Sequence, residues 1–222
     1  TTGKYDPDNT MKYDQNDFEM ICNEVTDSNC LAIRVDDDRY SDWDSFAAYW
    51  KQAGSLITSA SGLGITSDDA TADMLVANDL GVDVDIIASG GSGDNVTFLL
   101  NGTTDFLMGN VSEMVAAHND GQFKILCVFA EERDSNLPDV PTYEELTGNL
   151  VVGCSSRGYA MLKDVPDDIK QILGDAVKAA VQDPDLIEQL NAIYTTTDYK
   201  EGQEYVDYMN QQQQQARETW GV

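Results

Sequence analysis

Short aliphatic and β-branched runs alternate along this chain with stretches whose apolar positions recur every three to four residues. The runs at 30–35, 56–59, 84–88, 105–108, 124–130 and 150–154 predict strands. Between them, 43–53, 68–80, 95–101, 111–120 and 143–146 predict helices. A parallel strand pair needs a crossover long enough to carry a helix, so this alternation predicts an α/β fold with mainly parallel sheets.

After Cys154 the pattern shifts to longer helical segments at 166–181 and 183–192, with a final helix over 201–220. Asp164-Val165-Pro166 and Asp183-Pro184 place a capping carboxylate or a first-turn proline at the two starts. In the first of these helices Ile169, Ile172, Leu173, Ala176, Val177 and Ala180 share one face, which is expected to point at a core. The glutamine run 211–215 reads as a solvated helix face.

Composition narrows the function classes. The 222 residues include 3 Trp, 10 Tyr and 6 Phe, enough large apolar surface for a packed core. Against 13 Lys and Arg stand 40 Asp and Glu, a formal charge of -27, which repels phosphate backbones and anionic lipid and so disfavours nucleic-acid partners. No run of 18 apolar residues is present, so no direct membrane insertion by a helix is expected. The sequence opens at Thr1 without a basic and apolar leader, as it would after removal of a signal peptide. Of the four cysteines, Cys127 lies in an apolar run and reads as a small buried hydrophobe. Cys22 and Cys30 flank what reads as a polar turn and are a candidate disulfide in an oxidising compartment. No cysteine spacing suits a metal site, and neither metal nor cofactor is expected.

Candidate chemistry concentrates where strands hand over to helices. Ser59-Ala60-Ser61-Gly62-Leu63-Gly64-Ile65-Thr66-Ser67-Asp68-Asp69 combines glycines, hydroxyls and a helix start. That combination cradles anions, because turned backbone amides and a helix N-terminus supply donors and a positive dipole end. Ser89-Gly90-Gly91-Ser92-Gly93-Asp94 repeats the arrangement, and Met108-Gly109-Asn110-Val111-Ser112 forms a third strand-end turn. In open α/β sheets ligands gather beyond the carboxyl ends of the strands, where all three turns would lie. The candidate ligand contacts are therefore Ser61, Gly62, Gly64, Ile65, Thr66, Ser67 and Asp68, with Gly90, Gly91, Asn110 and Ser112 bordering them.

Catalytic arrangements are scarce. His118, the single histidine, sits at an expected helix end and reads as a surface cap, and neither a GxSxG elbow nor a Walker loop is present. Asp36-Asp37-Asp38 reads as a solvated turn and Asp68-Asp69 as helix capping. No catalytic residue is expected.

Taken in order, these segments resemble the substrate-binding receptors of tripartite tricarboxylate transporters. Ser61-Gly62-Leu63-Gly64 with Ser67-Asp68-Asp69, then Gly90-Gly91, then Leu99-Leu100-Asn101-Gly102-Thr103-Thr104-Asp105 carry the resemblance. Leu137-Pro138-Asp139-Val140-Pro141-Thr142, following Glu131-Glu132-Arg133, is its most specific part. The resemblance implies a two-lobed periplasmic-binding-protein fold of type II with a ligand cleft, one lobe at 35–152 and the other at 1–34 with 153–222. It implies a periplasmic or extracytoplasmic protein, with a lipid anchor an option for its full-length precursor, that hands a small carboxylate to membrane transporter subunits. The family's opening strand, loop and helix are not matched here, and a chain lacking them is expected to bind ligand weakly. A sensory or interaction protein reusing the fold, or a hydrolase or lyase, are the competing readings.

Overall fold

The computed structural model describes residues 17–62 and 67–221. It opens on a 17-residue strand, β1 (Phe18–Arg34), so the polar stretch between Cys22 and Cys30 is strand and not turn. Hydrogen bonds hold it in place: the Asn23 side-chain amide donates to the Asp198 carbonyl at 2.8 Å, and the Asn29 backbone N–H donates to the Gly153 carbonyl at 2.8 Å. Cys22 and Cys30 therefore lie eight residues apart on one strand, roughly 26 Å at ~3.3 Å per residue. Both are free thiols, and the candidate disulfide is excluded because cystine bridges close only below about 7 Å between Cα atoms.

Strand and helix then alternate as α1 (Trp43–Ala53), β2 (Ser55–Ala60), α2 (Asp68–Leu80), β3 (Asp83–Ala88), α3 (Ser92–Leu100), β4 (Leu107–Asn110), α4 (Val111–Asn119), β5 (Phe123–Val128) and α5 (Tyr143–Thr147). The strand expected at 150–154 instead begins where that run ends, as β6 (Cys154–Leu162). It is followed by α6 (Asp167–Val181), α7 (Pro184–Ala192), β7 (Thr197–Glu201) and α8 (Gly202–Trp220). β6 and β7 had no apolar alternation to announce them, since most of their side chains are exposed or half-buried.

The chain forms two compact units. One runs from Ser28 to Ser155; the other comprises the residues up to Asp27 together with those from Ser156 onward. In the 28–155 unit β2 and β3 pair in parallel, while β4 and β5 each flank β1 antiparallel to it and so run the same way as each other. The α/β expectation holds with one amendment: β1 runs against its neighbours. Because successive strand residues point to opposite faces, Leu31 and Ile33 join one buried cluster with Trp43, Phe46, Trp50 and Phe106. Cys30 and Ala32 join a second with Leu99, Val111, Met114 and Phe123.

In the other unit the first half of β1 pairs with β7, Cys22 opposite Glu201 and Asn23 opposite Lys200, and β6 also pairs with β1. Its buried hydrophobic residues among those described are few: Cys22, Val25, Val181, Tyr205 and Ala216. The α6 face expected to meet a core is open, with Ile169, Ile172 and Leu173 at 42%, 64% and 47% exposure. Helical periodicity identifies an apolar face but does not supply the sheet surface that would cover it.

Candidate functional site

β2 and β3 end level with each other, Ala60 opposite Ala88, so the turns that follow them are neighbours. The Ser89 backbone N–H donates to the Ala60 carbonyl at 3.0 Å and its hydroxyl to the same oxygen at 3.1 Å. Across the gap the Asn95 amide reaches the Ser61 hydroxyl at 3.4 Å. Gly62 and Gly91 turn with φ of 110° and 148°, backbone angles that side chains other than hydrogen rarely allow. Ser61, Gly62, Gly90 and Gly91 thus occupy one edge of this unit.

The third turn joins them through β1. Asn110, the last residue of β4, pairs across the sheet with Asn29. The Asn29 side-chain amide lies 3.4 Å from Asp69 Oδ1, and the same Asp69 carboxyl accepts the Ser61 backbone N–H. Ser67 caps α2 by accepting the Ala70 N–H at 3.2 Å, Asp68 stands half-buried in the first turn, and Ser112 is half-buried in the first turn of α4. Gly64, Ile65 and Thr66 lie outside the described residues.

The donors at this edge are not all open. Two of the turn amides already serve carboxylates of the chain itself: Ser61 N–H serves Asp69, and Gly90 N–H serves Asp94 Oδ2 at 3.0 Å. Added as a Cβ at Gly90, a methyl carbon would sit 2.7 Å from that Asp94 oxygen, so glycine is what permits the contact. Gly91 and Asn110, which begin α3 and α4, make no side-chain cap hydrogen bond. The opening amides of those two helices are therefore not satisfied by a cap side chain and carry the positive dipole end.

At this edge the sequence reading passed over Asn29 and Asp73 and took Asp69 for a helix cap. The Asp68-Asp69 pair is not a cap, since Ser67 has that role and Asp69 turns inward at 7% exposure. Burial first, then the neighbouring Asp68 and Glu113, push the Asp69 carboxyl up to about 7, against the opposing pull of the Ser61 N–H. One turn further along α2, Asp73 is fully buried with neither carboxyl oxygen hydrogen-bonded, and burial followed by Asp69 raises it well above the usual carboxylate range. The available signal was positional: Asp69, Asp73, Val76 and Leu80 share one helical face, so the two acids fall on the stripe that the apolar residues mark.

Other candidates resolve into structure. His118 Nδ1 accepts the Ile125 N–H at 3.2 Å and ties α4 to β5. Asp37 is not solvated: Arg39 and Arg34 hold it, and hydrogen bonds from Arg39 keep its carboxyl down at about 2. In the Leu137–Thr142 motif, Thr142 caps α5 in a reciprocal capping box with Glu145, and Arg133 clasps Glu145 at 2.8 Å and the Pro138 carbonyl at 3.0 Å. A cavity of about 330 Å³ in the other unit holds Lys170 and Lys178, each paired with a glutamate at 2.8 Å. Among the described residues no cluster of three His, Cys, Asp or Glu is placed to hold a metal, and no helix is long and apolar enough to cross a membrane.

Comparison with known proteins gives a consistent picture. Residues 3–219 match the tripartite tricarboxylate transporter family receptor, TctC. A curated relative, the UPF0065 protein of the TAR-I ttuE–ttuC′ intergenic region of Agrobacterium vitis, is 28% identical over 154 residues, 68% of this chain. The match spans 43% of that relative, less than half of its length. A TctC solute-binding protein from Polaromonas, solved with no ligand, is 25% identical with a TM-score of 0.77 over 94% of this chain and 71% of its own. An R. palustris protein solved with adipate superposes at a TM-score of 0.81, with 19% identity over 96% of this chain and 72% of its own. MatC from Rhodopseudomonas palustris, with bound malate, gives a TM-score of 0.77 at 22% identity over 96% and 72%.

Proposed function

This chain belongs to the tripartite tricarboxylate transporter receptor family, and we propose that it is an extracytoplasmic solute-binding protein that captures a small carboxylate for a transporter of that type. The observation that carries the reading is the convergence of the turns after β2, β3 and β4 on one edge of the 28–155 unit, linked through Ser61, Asn95, Asp69 and Asn29. Ser61, Gly62, Ser67, Asp68, Gly90, Gly91, Asn110 and Ser112 border the ligand in this reading. The start of α3, which has no side-chain cap, is its natural anion donor.

Local donors suffice for such a site despite a charge of -27, because charges beyond roughly 10 Å are screened by salt whereas amides in contact are not. The reading needs no nucleophile and no base. Adipate and malate, bound by the two R. palustris proteins, direct attention to dicarboxylates.

A thermal-shift screen of the full chain against malate, adipate, citrate, glutamate, benzoate and neutral sugars tests it. A ligand at a hundred times its Kd adds about 2.7 kcal/mol to the native state, so a true carboxylate raises the melting point in proportion to concentration. A response to a neutral or cationic solute, with none to any carboxylate, overturns the assignment.

A further inference from the structure

The turn after β2 has committed its backbone donors to the chain itself. The Ser61 N–H serves the Asp69 carboxyl, the Gly62 N–H donates to the Ala60 carbonyl at 2.9 Å, and Ser67 is buried as the cap of α2. Ser61 is exposed, and its hydroxyl oxygen acts as an acceptor: Asn95 Nδ2 donates to Ser61 Oγ at 3.4 Å. A serine hydroxyl carries one proton besides its acceptor lone pairs, and a donor amide nitrogen cannot take that proton. Among the described residues of the turn, the Ser61 O–H is therefore the exposed donor left for an anion.

Asn95 is placed as a fixture for that hydroxyl. It lies near the start of α3, its backbone N–H on the Gly91 carbonyl at 3.2 Å, and it shares the buried face of the helix with Leu99. Its side chain is almost wholly enclosed, at 2% exposure, and its Oδ1 has no hydrogen-bond partner. An unmet buried acceptor costs stability, and an apolar side chain of similar size would avoid that cost, so packing alone does not account for an amide on this stripe. The contact with Ser61 does. By donating to Oγ from a buried and fixed position, the Asn95 amide leaves the Ser61 proton to point toward solvent, where a ligand carboxylate arrives.

We propose that Asn95 is a positioning residue for the ligand: it holds the Ser61 hydroxyl as a donor to the carboxylate without touching the carboxylate itself. The inference rests on the carboxylate-binding reading above and assigns the turn after β2 a side-chain donor, its described backbone amides being already engaged.

The test is calorimetric titration of the full chain with malate, adipate, citrate, glutamate and benzoate, for the wild type, Ser61→Ala, Asn95→Leu and the double variant, with urea unfolding of each. S61A, at an exposed position, should keep its stability and bind the responding acid roughly tenfold more weakly, the size of a lost hydrogen bond to a charged group. N95L removes the unmet acceptor, so it should be at least as stable as the wild type and bind roughly threefold more weakly. In the S61A background the same N95L change should cost no further affinity, because its effect passes through the hydroxyl. An equal loss with and without the Ser61 hydroxyl overturns the inference, as does a stability loss shared by S61A and N95L, which would make the contact a structural tether. Unchanged affinity in either single variant overturns it too and leaves carboxylate capture intact. Absence of heat with every acid in the wild type overturns the binding reading and the inference with it. Should N95L fail to fold, Asn95→Ala carries the same cycle.

Discussion

Phe106 and Ile172 are both large apolar side chains on regular elements or their approaches, and they meet opposite surroundings. Phe106 is fully buried, its ring centroid 4.8 Å from that of Trp50 and 5.6 Å from that of Phe46, whereas Ile172 on α6 is 64% exposed. The same contrast runs through the two units. Residues 28–155 close two clusters, one on each face of the strands; the unit that contains α6, α7 and α8 buries five hydrophobic residues among those described. An apolar helix stripe becomes a core only where a sheet faces it, and the 28–155 unit has β2, β3, β4 and β5 beside β1 to face its helices. The candidate ligand edge belongs to the unit whose framework is better packed, which suits a site that relies on fixed backbone donors.

The contrast can be broken most decisively at Phe106. Phe106→Ala should lower unfolding stability by about 3–5 kcal/mol, because a fully buried aromatic leaves both lost transfer energy and a cavity. Urea denaturation checks it, and a loss below about 1 kcal/mol would deny the 28–155 unit its distinct core. Next in size is a pH effect confined to the same unit. Asp69 keeps its proton up to about pH 7 when folded but releases it near pH 4 when unfolded. The folded state therefore holds more protons in that window, and its stability should decline as pH rises from about 4 to 7, by a few kcal/mol at most. Asp69→Asn should remove that share of the decline, and an unchanged pH profile would show that the buried acid costs nothing. The smallest effect is expected on α6, where Ile172→Ser should change stability by no more than about 0.5 kcal/mol, as at other exposed positions. A loss of 2 kcal/mol or more there would mean that α6 has a covering surface after all.

Much of the architecture could be read from residue order because the informative elements are buried. α1 and α2 coincide with their predicted spans, since Trp43, Phe46 and Trp50, and Ala72 and Val76, impose helical spacing on core contacts. β6 and β7 could not be read so well: Ser155, Ser156, Arg157 and Gly158, and the Thr197–Glu201 segment, hold their places through backbone pairing, which leaves little trace in side-chain hydropathy. The turn misread between Cys22 and Cys30 has the same origin, for Asn23, Asp27 and Asn29 look like turn residues until their buried partners are seen. At the candidate edge the glycines and hydroxyls were legible as a pattern. The acids inside it were not, because Asp at a helix start suggests capping before it suggests burial, and only the fold turns Asp69 and Asp73 inward.

Residue-resolved amide spectra of the full chain, titrated with malate and with adipate at pH 6, test most directly the claim that carboxylate is held at the ends of β2, β3 and β4. The account predicts saturable shifts concentrated at the amides of Ser61, Gly62, Gly91 and Ser112, with the Lys170 and Lys178 cavity of the other unit unaffected. Saturable shifts at Lys170 and Lys178, with silence at the four strand-end amides, would contradict it.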